Sequence, residues 1–593
     1  MAPPPRPTRR GLLVLLPAGL IALGFLGRGL AEKAWHTFTT YQTPFAFKNP
    51  HALAPPPRVE QVVIVVADGL TYHASRAMPF LNELRRQGAD TDCRAGLPSL
   101  SLPGRAVLMS GAWAEIHGQA TNFNPQPLSV ETLFQTARRR GLRTALAAGP
   151  GPQTLFGPWV EERVVYNRLD PAYSHDLLRL EAELRWMGEA SRALLREKKP
   201  NLFVLDYSIT DEAGHAWGAA SSEYRSAAQA VDEELQRLAP EIDLRRSVLI
   251  VTADHGHTST GGHGGPEEAV IHVPLVLVGG PVRPGSTGTA EQVDLAPTVA
   301  ALLGIEIPAS SQGHPLLELL DLAPAARRPV LESLYQQRES FVAQYVAWVS
   351  RRPAVLPRAS GLSRAQSIEA GLGPVEQEAQ VARDRRLDEE ERSRVGALLA
   401  FLLLPLIALG ALRALRIFSN AELSLGVLAA IVATLLYHGL FPVLRLDYSF
   451  SAVNRDEYLG AFFAKDMVLA VGACAVAVMA ASIWMERRLR PAPPVALARV
   501  AWLAAAALGY LFLVRMAIVY WRNGVFLRWH MPDQYWGFSF YLDALALMAV
   551  GFVGIALPLL AWLAARLVRS ERGIHSRASG AGGSANARGG VLP

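Results

Sequence analysis

Long apolar runs occupy both ends of the chain, and shorter apolar runs alternate with polar segments between them. The first run extends from Gly11 to Leu26 and follows Arg6, Arg9 and Arg10. Each later run has close to the roughly 20 residues that a membrane-spanning helix requires. These later runs are Val395–Leu415, Leu423–Leu444, Met467–Trp484, Val500–Tyr520 and Leu542–Leu567. The pattern therefore predicts six membrane spans, with the first as an uncleaved signal anchor rather than a cleaved signal peptide.

The segment between the first and second spans has the pattern of an α/β domain. Val59–Ala67 is mostly apolar and rich in valine, which is typical of a buried parallel strand. Further strands are predicted at Leu142–Ala148, Leu202–Tyr207 and Ser247–Thr252, with helical patterns such as Met78–Gln87 among them. This alternation favours an α/β sandwich around a mostly parallel central sheet, joined to an α-helical membrane domain.

Basic residues concentrate in alternate connections of the predicted spans, which sets their orientation. The amino terminus, the turn at Arg413 and Arg416, the loop from Arg487 to Arg499 and the carboxyl-terminal tail are predicted to be cytoplasmic. Residues from about 30 to 394 then lie outside the cytoplasm. The predicted units are a cytoplasmic amino terminus and anchor helix (1–29), a linker (30–57), the α/β domain (58–320), a charged helical connector (321–394), five transmembrane helices (395–568) and a disordered cytoplasmic tail (569–593).

Composition narrows the classes of function. Half of the residues are hydrophobic and 19% are charged, which agrees with a large membrane component. The net charge of +6 comes mainly from the basic flanks of the spans, so nucleic-acid binding is not expected. The two cysteines, Cys93 and Cys474, are too few for a disulfide scaffold or a thiolate metal site.

Acidic and imidazole side chains cluster where the predicted strands end, which is where ligands bind in open α/β sheets. These candidates are Asp68, Asp211, His215, Asp254, His255 and His263. Singly, each has an ordinary explanation, since Asp often caps a helix and a lone His is usually structural. As a set, oxygen and nitrogen donors without thiolates suit Zn, with Mn as the alternative, and two such ions can assist an in-line phosphoryl displacement.

A nucleophile is offered by the segment Pro98–Arg105, which contains Ser99 and Ser101. Taken alone, this segment is an ordinary turn in which Ser, Pro and Gly are common.

The order of the motifs, however, resembles the alkaline-phosphatase superfamily over about residues 59–318. The motifs are Asp68-Gly69, Ser101-Leu102-Pro103-Gly104, Ser110-Gly111, His117-Gly118, Asp211 with Gly214-His215, Asp254-His255-Gly256, Asp294-Leu295-Ala296-Pro297-Thr298 and Gly313-His314-Pro315. They are most similar to nucleotide pyrophosphatase/phosphodiesterases and to the ethanolamine phosphate transferases of GPI-anchor synthesis. Ser101 occupies the nucleophile position of either group.

The resemblance implies two metal sites. One set of ligands is Asp68, Asp254, His255 and the Ser101 oxygen; the other is Asp211, His215 and His263. His263 follows the transferase pattern, in which a His-Gly-Gly comes soon after Asp-His-Gly. His257 and His272 are the nearest competitors, although a surface position explains either of them. Asn122 matches an asparagine that hydrogen-bonds a phosphoryl oxygen, and ordinary turn geometry explains it nearly as well.

The implied reaction is metal-dependent hydrolysis or transfer of a phosphate ester through a phosphoserine at Ser101. Five helices beyond a single anchor suggest a substrate that is lipid-linked or of the phosphoethanolamine type, with membrane lipids as partners. Arg515 and Asp543, both in predicted spans, are candidate headgroup or helix-pairing contacts, and a snorkelling arginine is an equal alternative.

Two other functions compete with this interpretation. Residues 101–105 also fit the Ser-x-Pro-x-Arg pattern of sulfatases, in which the serine is oxidised to formylglycine. Against this, sulfatases open with paired aspartates where this chain has Asp68-Gly69, and they lack the pair matched by Asp211 and His215. The second alternative is an inactive domain that serves membrane transport or assembly, which the intact ligand set disfavours.

Overall fold

A central sheet of eight strands forms the core of the α/β domain in the computed structural model, which describes residues 14–166, 175–356, 366–489 and 491–581. The strands are β1 (Gln61–Ala67), β2 (Ala89–Arg94), β3 (Thr144–Ala148), β4 (Glu162–Val165), β5 (Leu202–Tyr207), β6 (Ser247–Thr252), β7 (His272–Gly279) and β8 (Ser286–Glu291). Their order in the sheet is β4-β3-β5-β1-β6-β7-β2-β8. Only β7 runs antiparallel to its neighbours, so the predicted mostly parallel α/β class is confirmed.

The apolar pattern predicted four adjacent strands of the sheet, β3, β5, β1 and β6. Strands β1, β5 and β6 are almost wholly buried, because helices cover both faces of the sheet. The other four strands were not predicted. Strands β2 and β8 are polar, since β2 reads Ala-Asp-Thr-Asp-Cys-Arg and β8 Ser-Thr-Gly-Thr-Ala-Glu. Strand β4 has only four residues, and β7 was missed although it is apolar and buried. Strand β8 lies at the edge of the sheet, where exposed positions tolerate polar residues.

Helices surround the sheet and continue into the membrane domain. Those before and within the α/β domain are α1 (Leu15–Thr39), α2 (Tyr72–Ser75), α3 (Pro79–Gln87), α4 (Ser101–Ser110), α5 (Ala114–His117), α6 (Leu133–Arg139), α7 (Pro150–Phe156), α8 (Leu177–Lys198), α9 (Ile209–Trp217), α10 (Ser222–Leu238), α11 (Glu268–Ile271) and α12 (Leu295–Leu303). Those that follow are α13 (Pro324–Ser350), α14 (Gln366–Ala414), α15 (Asn420–Leu440), α16 (Leu459–Leu489), α17 (Pro494–Asn523), α18 (Gln534–Val553) and α19 (Leu557–Ala581).

Six helical segments within the described residues are long and apolar enough to cross a membrane. They are Leu15–Thr39, Ala370–Ala414, Asn420–Leu440, Leu459–Leu489, Pro494–Asn523 and Gln534–Glu571. Each predicted span overlaps one of them. The last predicted span, Leu542–Leu567, is interrupted by a 3₁₀ turn at Gly554–Ala556.

Several boundaries differ from those predicted. Helix α1 continues to Thr39, beyond the predicted end of the anchor at residue 29. Helix α14 runs without a break from the charged connector into the second span. Helix α19 continues to Ala581, well into the predicted disordered tail, and residues 582–593 lie outside the described residues.

The connector packs firmly on the α/β domain. Helix α13 buries Arg338, whose guanidinium donates to the carbonyl oxygens of Gln312 and Gly313, both at 2.7 Å. Residues of α13 and α14 also form an apolar cluster with Phe45 of the segment after α1. The α/β domain is therefore contacted on its amino-terminal side by the segment after α1 and on its carboxyl-terminal side by α13 and α14. Both of these regions are continuous with membrane helices.

Candidate active site

The candidate nucleophile Ser101 is the first residue of helix α4. Its Oγ atom lies 3.1 Å from Nε2 of His255. A helix amino terminus carries partial positive charge, which favours an anionic phosphate ester beside Ser101. Asn122 stands next to it, because its Oδ1 accepts a 2.9 Å hydrogen bond from the Leu102 amide. That bond orients the side-chain amide, whose Nδ2 group can donate to a ligand.

The first predicted ligand group comes together at the carboxyl ends of two neighbouring strands. Asp68 follows β1, while Asp254 and His255 follow β6, which pairs with β1. Ligand atoms of these three residues lie within 4.8 Å of one another, and all three side chains are buried. The amides of Gly69 and His255 donate to Oδ1 of Asp254 at 3.1 and 3.0 Å, which orients that carboxylate.

Arg105 occupies the centre of this carboxylate group and was not predicted as a site residue. Its Nη2 lies 2.5 Å from Oδ2 of Asp68, and its Nη1 lies 2.8 Å from Oδ2 of Asp254. It also forms a buried bidentate pair with Asp206, a charged residue inside the otherwise apolar strand β5. The sequence did contain a signal for Asp206, because it is a carboxylate within a strand of apolar residues. A buried charge of this kind requires a partner of opposite charge.

The second predicted ligand group lies on helix α9 and in the loop after β6. Asp211 and His215 are four residues apart and therefore share one face of α9, with His215 Nε2 3.5 Å from Asp211 Oδ2. His263 Nε2 lies 3.2 Å from His215 Nε2. The ring of His263 also stacks on His255, with centroids 3.8 Å apart, so the two groups adjoin.

His257 belongs to this site, and the surface position considered for it from sequence is wrong. The side chain is fully buried, and its Nε2 lies 2.8 Å from Asp211 Oδ1. Ligand atoms of Asp211, His255, His257 and His263 all lie within 4.8 Å of one another. The sequence signal for His257 was the motif Asp254-His255-Gly256-His257, which places two histidines directly after β6. His272 instead pairs with Asp92 at 2.8 Å and is one-third exposed.

Backbone carbonyls define which nitrogen of each histidine carries its proton. The Nδ1 atoms of His255, His257 and His263 face carbonyl oxygens of Gly256, Gly261 and Ser99 at 3.0 to 3.1 Å, and that of His215 faces the carbonyl of Asn454. A carbonyl only accepts, so each Nδ1 is the donor and each Nε2 presents a lone pair. Four such lone pairs point toward Asp211 or Ser101. This is the donor arrangement that a divalent metal ion requires.

The charge balance of the site also fits bound cations. Four buried carboxylates, those of Asp68, Asp206, Asp211 and Asp254, surround a single guanidinium, that of Arg105. With neutral histidines, this leaves a formal charge of −3 in a buried volume, which is costly unless cations compensate it. Burial and the nearby Asp211 and Asp254 raise the pKa of Asp68 well above its ordinary value, against the effect of Arg105.

Burial keeps His255 and His263 in the neutral form that metal binding needs. Burial lowers the pKa of His255, and it lowers the pKa of His263 still further with the help of neighbouring His255. Burial acts to raise the pKa of Asp211, but His215 and His257 outweigh it and hold that pKa well below its ordinary value. Asp211 is thus an anion at neutral pH, as a metal ligand must be.

A cavity of about 470 Å³ opens beside the site, between the α/β domain and the membrane helices. Its lining includes the polar residues Asn122, Glu212, His215, His263 and Arg455 and the apolar residues Trp35, Phe38, Phe450 and Val453. A small adjoining apolar groove between α1 and α18 shares Trp35, Phe38 and Phe450 with the cavity. The cavity beside the site therefore offers both polar and apolar surface.

A known protein family matches the part of the chain that carries this site. Residues 62–272 match the family model of type I phosphodiesterases/nucleotide pyrophosphatases. The match runs from β1 to the first residue of β7, so it includes Ser101, Asn122 and every predicted metal ligand. The resemblance drawn from the ordered motifs is confirmed.

Relatives among known proteins belong to the transferase group that the motifs also suggested. The catalytic subunit of human GPI ethanolamine phosphate transferase 2 is 25% identical over 291 residues, which cover 46% of this chain and 29% of the relative. GPI ethanolamine phosphate transferase 1 of Aspergillus fumigatus is 25% identical over 299 residues, covering 44% of this chain and 29% of the relative. This chain thus spans less than a third of the length of these relatives.

A solved structure of murine ectonucleotide pyrophosphatase/phosphodiesterase 5 aligns with 44% of this chain and 100% of its own, at 15% identity and a TM-score of 0.37. The fold class given above rests on the order and direction of the eight strands rather than on this alignment.

Proposed function

We propose that this protein is a membrane-embedded, metal-dependent phosphotransferase that moves a phosphoethanolamine-type group from a lipid-linked phosphate ester to an acceptor alcohol. The observation that carries the proposal is the position of Ser101. Its hydroxyl lies at the amino terminus of α4, 3.1 Å from His255, beside two adjoining groups of carboxylate and imidazole ligands. The transferase relatives and the matched phosphodiesterase domain support the same reaction class.

Ser101, Asp68, Asp254 and His255 are the proposed ligands of one divalent ion, and Asp211, His215 and His263 those of the other, with Zn the expected metal and Mn the alternative. Such ions lower the pKa of a bound hydroxyl and offset negative charge on phosphoryl oxygens. Ser101 attacks phosphorus, a bond from its oxygen to phosphorus forms, and the bond from phosphorus to the lipid alcohol breaks. Asn122 donates to a phosphoryl oxygen through Nδ2. An acceptor alcohol then displaces Ser101.

The cavity supports a lipid-linked donor of zwitterionic character. Its lining includes Asn122 and Arg455, whose donors suit a phosphate, and Glu212, whose carboxylate suits an ammonium group. It also includes apolar residues of α1 and of the loop before α16, which suit the apolar part of a lipid. Catalysis outside the cytoplasm is part of the proposal, supported by the distribution of basic residues around the spans.

The test uses purified full-length protein in phosphatidylethanolamine vesicles with Zn²⁺ or Mn²⁺ and an added acceptor alcohol. Mass spectrometry is expected to show diacylglycerol together with the phosphoethanolamine ester of the acceptor. Ser101→Ala is expected to abolish both products while the protein still folds and binds metal. Release of free phosphoethanolamine alone would make the protein a hydrolase instead. Unchanged turnover by Ser101→Ala would exclude Ser101 as the nucleophile.

A sulfatase remains the second candidate because Arg105, the arginine of the Ser-x-Pro-x-Arg pattern, lies inside the site and pairs with Asp68 and Asp254. Intact-protein mass spectrometry distinguishes the two functions. Conversion of Ser101 to formylglycine, accompanied by hydrolysis of an aryl sulfate, would establish the sulfatase. An unmodified Ser101 is expected.

A further inference from the structure

The loop that joins membrane helices α15 and α16 reaches into the candidate active site. We name residues 448–455 of this connection the docking loop. Asn454 in this loop contacts the predicted metal ligand His215 in two ways. Its backbone carbonyl accepts from His215 Nδ1, and its side-chain Nδ2 donates to the carbonyl oxygen of His215 at 2.8 Å. In addition, the side-chain Oδ1 of Asn454 lies 3.3 Å from His215 Nδ1.

The glycine-rich segment around His263 is shaped to receive this loop. Four glycines flank His263, and each lacks the side chain that would collide with a docking-loop residue. A Cβ at Gly261 would lie 2.4 Å from Asn454 Oδ1, and one at Gly262 would lie 2.0 Å from the carbonyl oxygen of Ser451. At Gly264 the neighbour is Phe450 at 2.9 Å, and at Gly265 it is Ser449 at 1.9 Å.

Hydrogen bonds hold the two segments together beyond this steric fit. The Gly265 amide donates to Ser451 Oγ at 3.0 Å, and Ser451 Oγ donates to Glu267 at 2.5 Å. The carbonyl of Gly265 accepts from Ser99 Oγ at 2.7 Å. The carbonyl of Ser99 in turn accepts from His263 Nδ1. The docking loop is therefore linked to both His215 and His263.

The other end of the docking loop is anchored among the membrane helices. Tyr448 accepts a 2.8 Å hydrogen bond from Arg515 of α17, and that guanidinium lies over the Tyr448 ring, 4.5 Å from its centre. Arg515 is also paired with Asp543 of α18 at 3.1 Å. Phe450 stacks on Phe38 of α1 with ring centres 5.1 Å apart. Arg515 and Asp543, the charged residues noted within the predicted spans, therefore link α17 to α18, and Arg515 also holds the docking loop.

From these contacts we infer that the docking loop completes the catalytic site and that Asn454 is a positioning residue for His215. Groups that hydrogen-bond the second nitrogen of a metal-bound histidine fix its orientation and tautomer, and their removal commonly weakens metal binding about 10- to 100-fold. The membrane domain thereby contributes directly to the metal site, in addition to any contact with lipid. This inference rests on the proposed metal site.

The experiment measures metal affinity on the purified full-length protein, without using turnover. Zn²⁺ is titrated in competition with a chelating dye, and Co²⁺ binding is followed by its visible absorption. Asn454→Ala is expected to bind at least one equivalent of Zn²⁺ about 10-fold or more weakly and to alter the Co²⁺ spectrum. The matched control is Asn523→Ala at the end of α17, whose side chain donates to the Val519 carbonyl at 3.4 Å. It is expected to behave as the unaltered protein.

A second variant, Ser451→Ala, removes the bonds to Gly265 and Glu267 and leaves Asn454 in place. It is expected to shift Zn²⁺ affinity in the same direction, and it decides the question if Asn454→Ala does not fold. Wild-type affinity and an unchanged Co²⁺ spectrum in the folded variants would overturn the role of the loop alone. Absence of Zn²⁺ and Co²⁺ binding by the unaltered protein would overturn the metal site and this inference together.

Discussion

Ser101 illustrates how much of this site depends on individual side chains. We expect Ser101→Ala to lower phosphotransfer by at least about 10³-fold, because the variant lacks the hydroxyl that Ser101 supplies at the amino terminus of α4. We expect Asn122→Ala to lower the rate by about 10²-fold, through loss of one donor to the transition state. Both are checked by steady-state kinetics with a diester substrate, and retained Zn²⁺ binding serves as the control. A rate within threefold of the unaltered protein would remove either residue from the mechanism.

Metal removal tests the charge balance around Arg105. We expect a chelator to lower the melting temperature of the full-length protein, because buried carboxylates then outnumber the single guanidinium by three. Zn²⁺ or Mn²⁺ should restore it, whereas Mg²⁺, which prefers all-oxygen ligands, should restore less. Calorimetry with and without chelator measures the difference. An unchanged melting temperature would show that the carboxylates need no metal ion.

His117 provides a pH-dependent effect outside the ligand set. Burial lowers its pKa to about 3, and its Nδ1 accepts from the Gln119 amide. The unfolded chain binds this proton near pH 6.5 and the folded chain does not, so the associated stability is lost as pH falls from about 6.5 toward 3. The loss amounts to about 2 kcal/mol at pH 5. Denaturant unfolding of His117→Asn, which retains an acceptor, should show a smaller decrease between pH 7 and 5. An equal loss of unfolding free energy between pH 7 and 5 in His117→Asn and in the unaltered protein would contradict this role of His117.

At the scale of secondary-structure elements, the site exists because three neighbouring strands end side by side. Strand β1 lies between β5 and β6, so Asp68, Asp211 and Asp254 follow adjacent carboxyl ends. Sequence analysis found these residues because each follows a recognisable apolar strand. It did not select Asp206, Arg105 or His257, although the buried carboxylate of β5 and the Asp-His-Gly-His spacing were local signals for Asp206 and His257. The partners of all three residues are distant in the chain, so only the fold shows that they belong to the site.

The junction after β1 leaves no room for a side chain at Gly69. A Cβ there would lie 2.8 Å from both Asp211 Cα and His257 Cδ2, at a backbone φ of +69°. Gly141 is a matched control, with φ of +72° and open space around it. We expect Gly141→Ala to cost only the left-handed backbone strain of about 1–2 kcal/mol. Gly69→Ala should cost more and should also weaken Zn²⁺ binding. If Gly69→Ala and Gly141→Ala had equal unfolding free energies and equal Zn²⁺ affinities, steric crowding at Gly69 would be refuted.

At the scale of the whole molecule, sidedness is the prediction that most needs a direct test. The pattern of basic residues places the α/β domain outside the cytoplasm. A cysteine introduced at Arg245, whose side chain is 92% exposed, should react with an impermeant maleimide in intact cells. One introduced at the exposed Arg488, in the last turn of α16, should react only after permeabilisation. The native Cys93 and Cys474 are buried and give little background. The reverse labelling pattern would invert the topology.

The sequence by itself determined the class of this protein: its apolar runs specify spans and strands, because hydrophobic periodicity follows local backbone geometry. The ordered motifs also identified the candidate nucleophile and both ligand groups. Only the tertiary structure placed His257 and Arg105 inside the site and brought Asn454 of the membrane domain against His215. These contacts join residues that are far apart in the chain, so their distances depend on how strands and helices pack rather than on any local pattern.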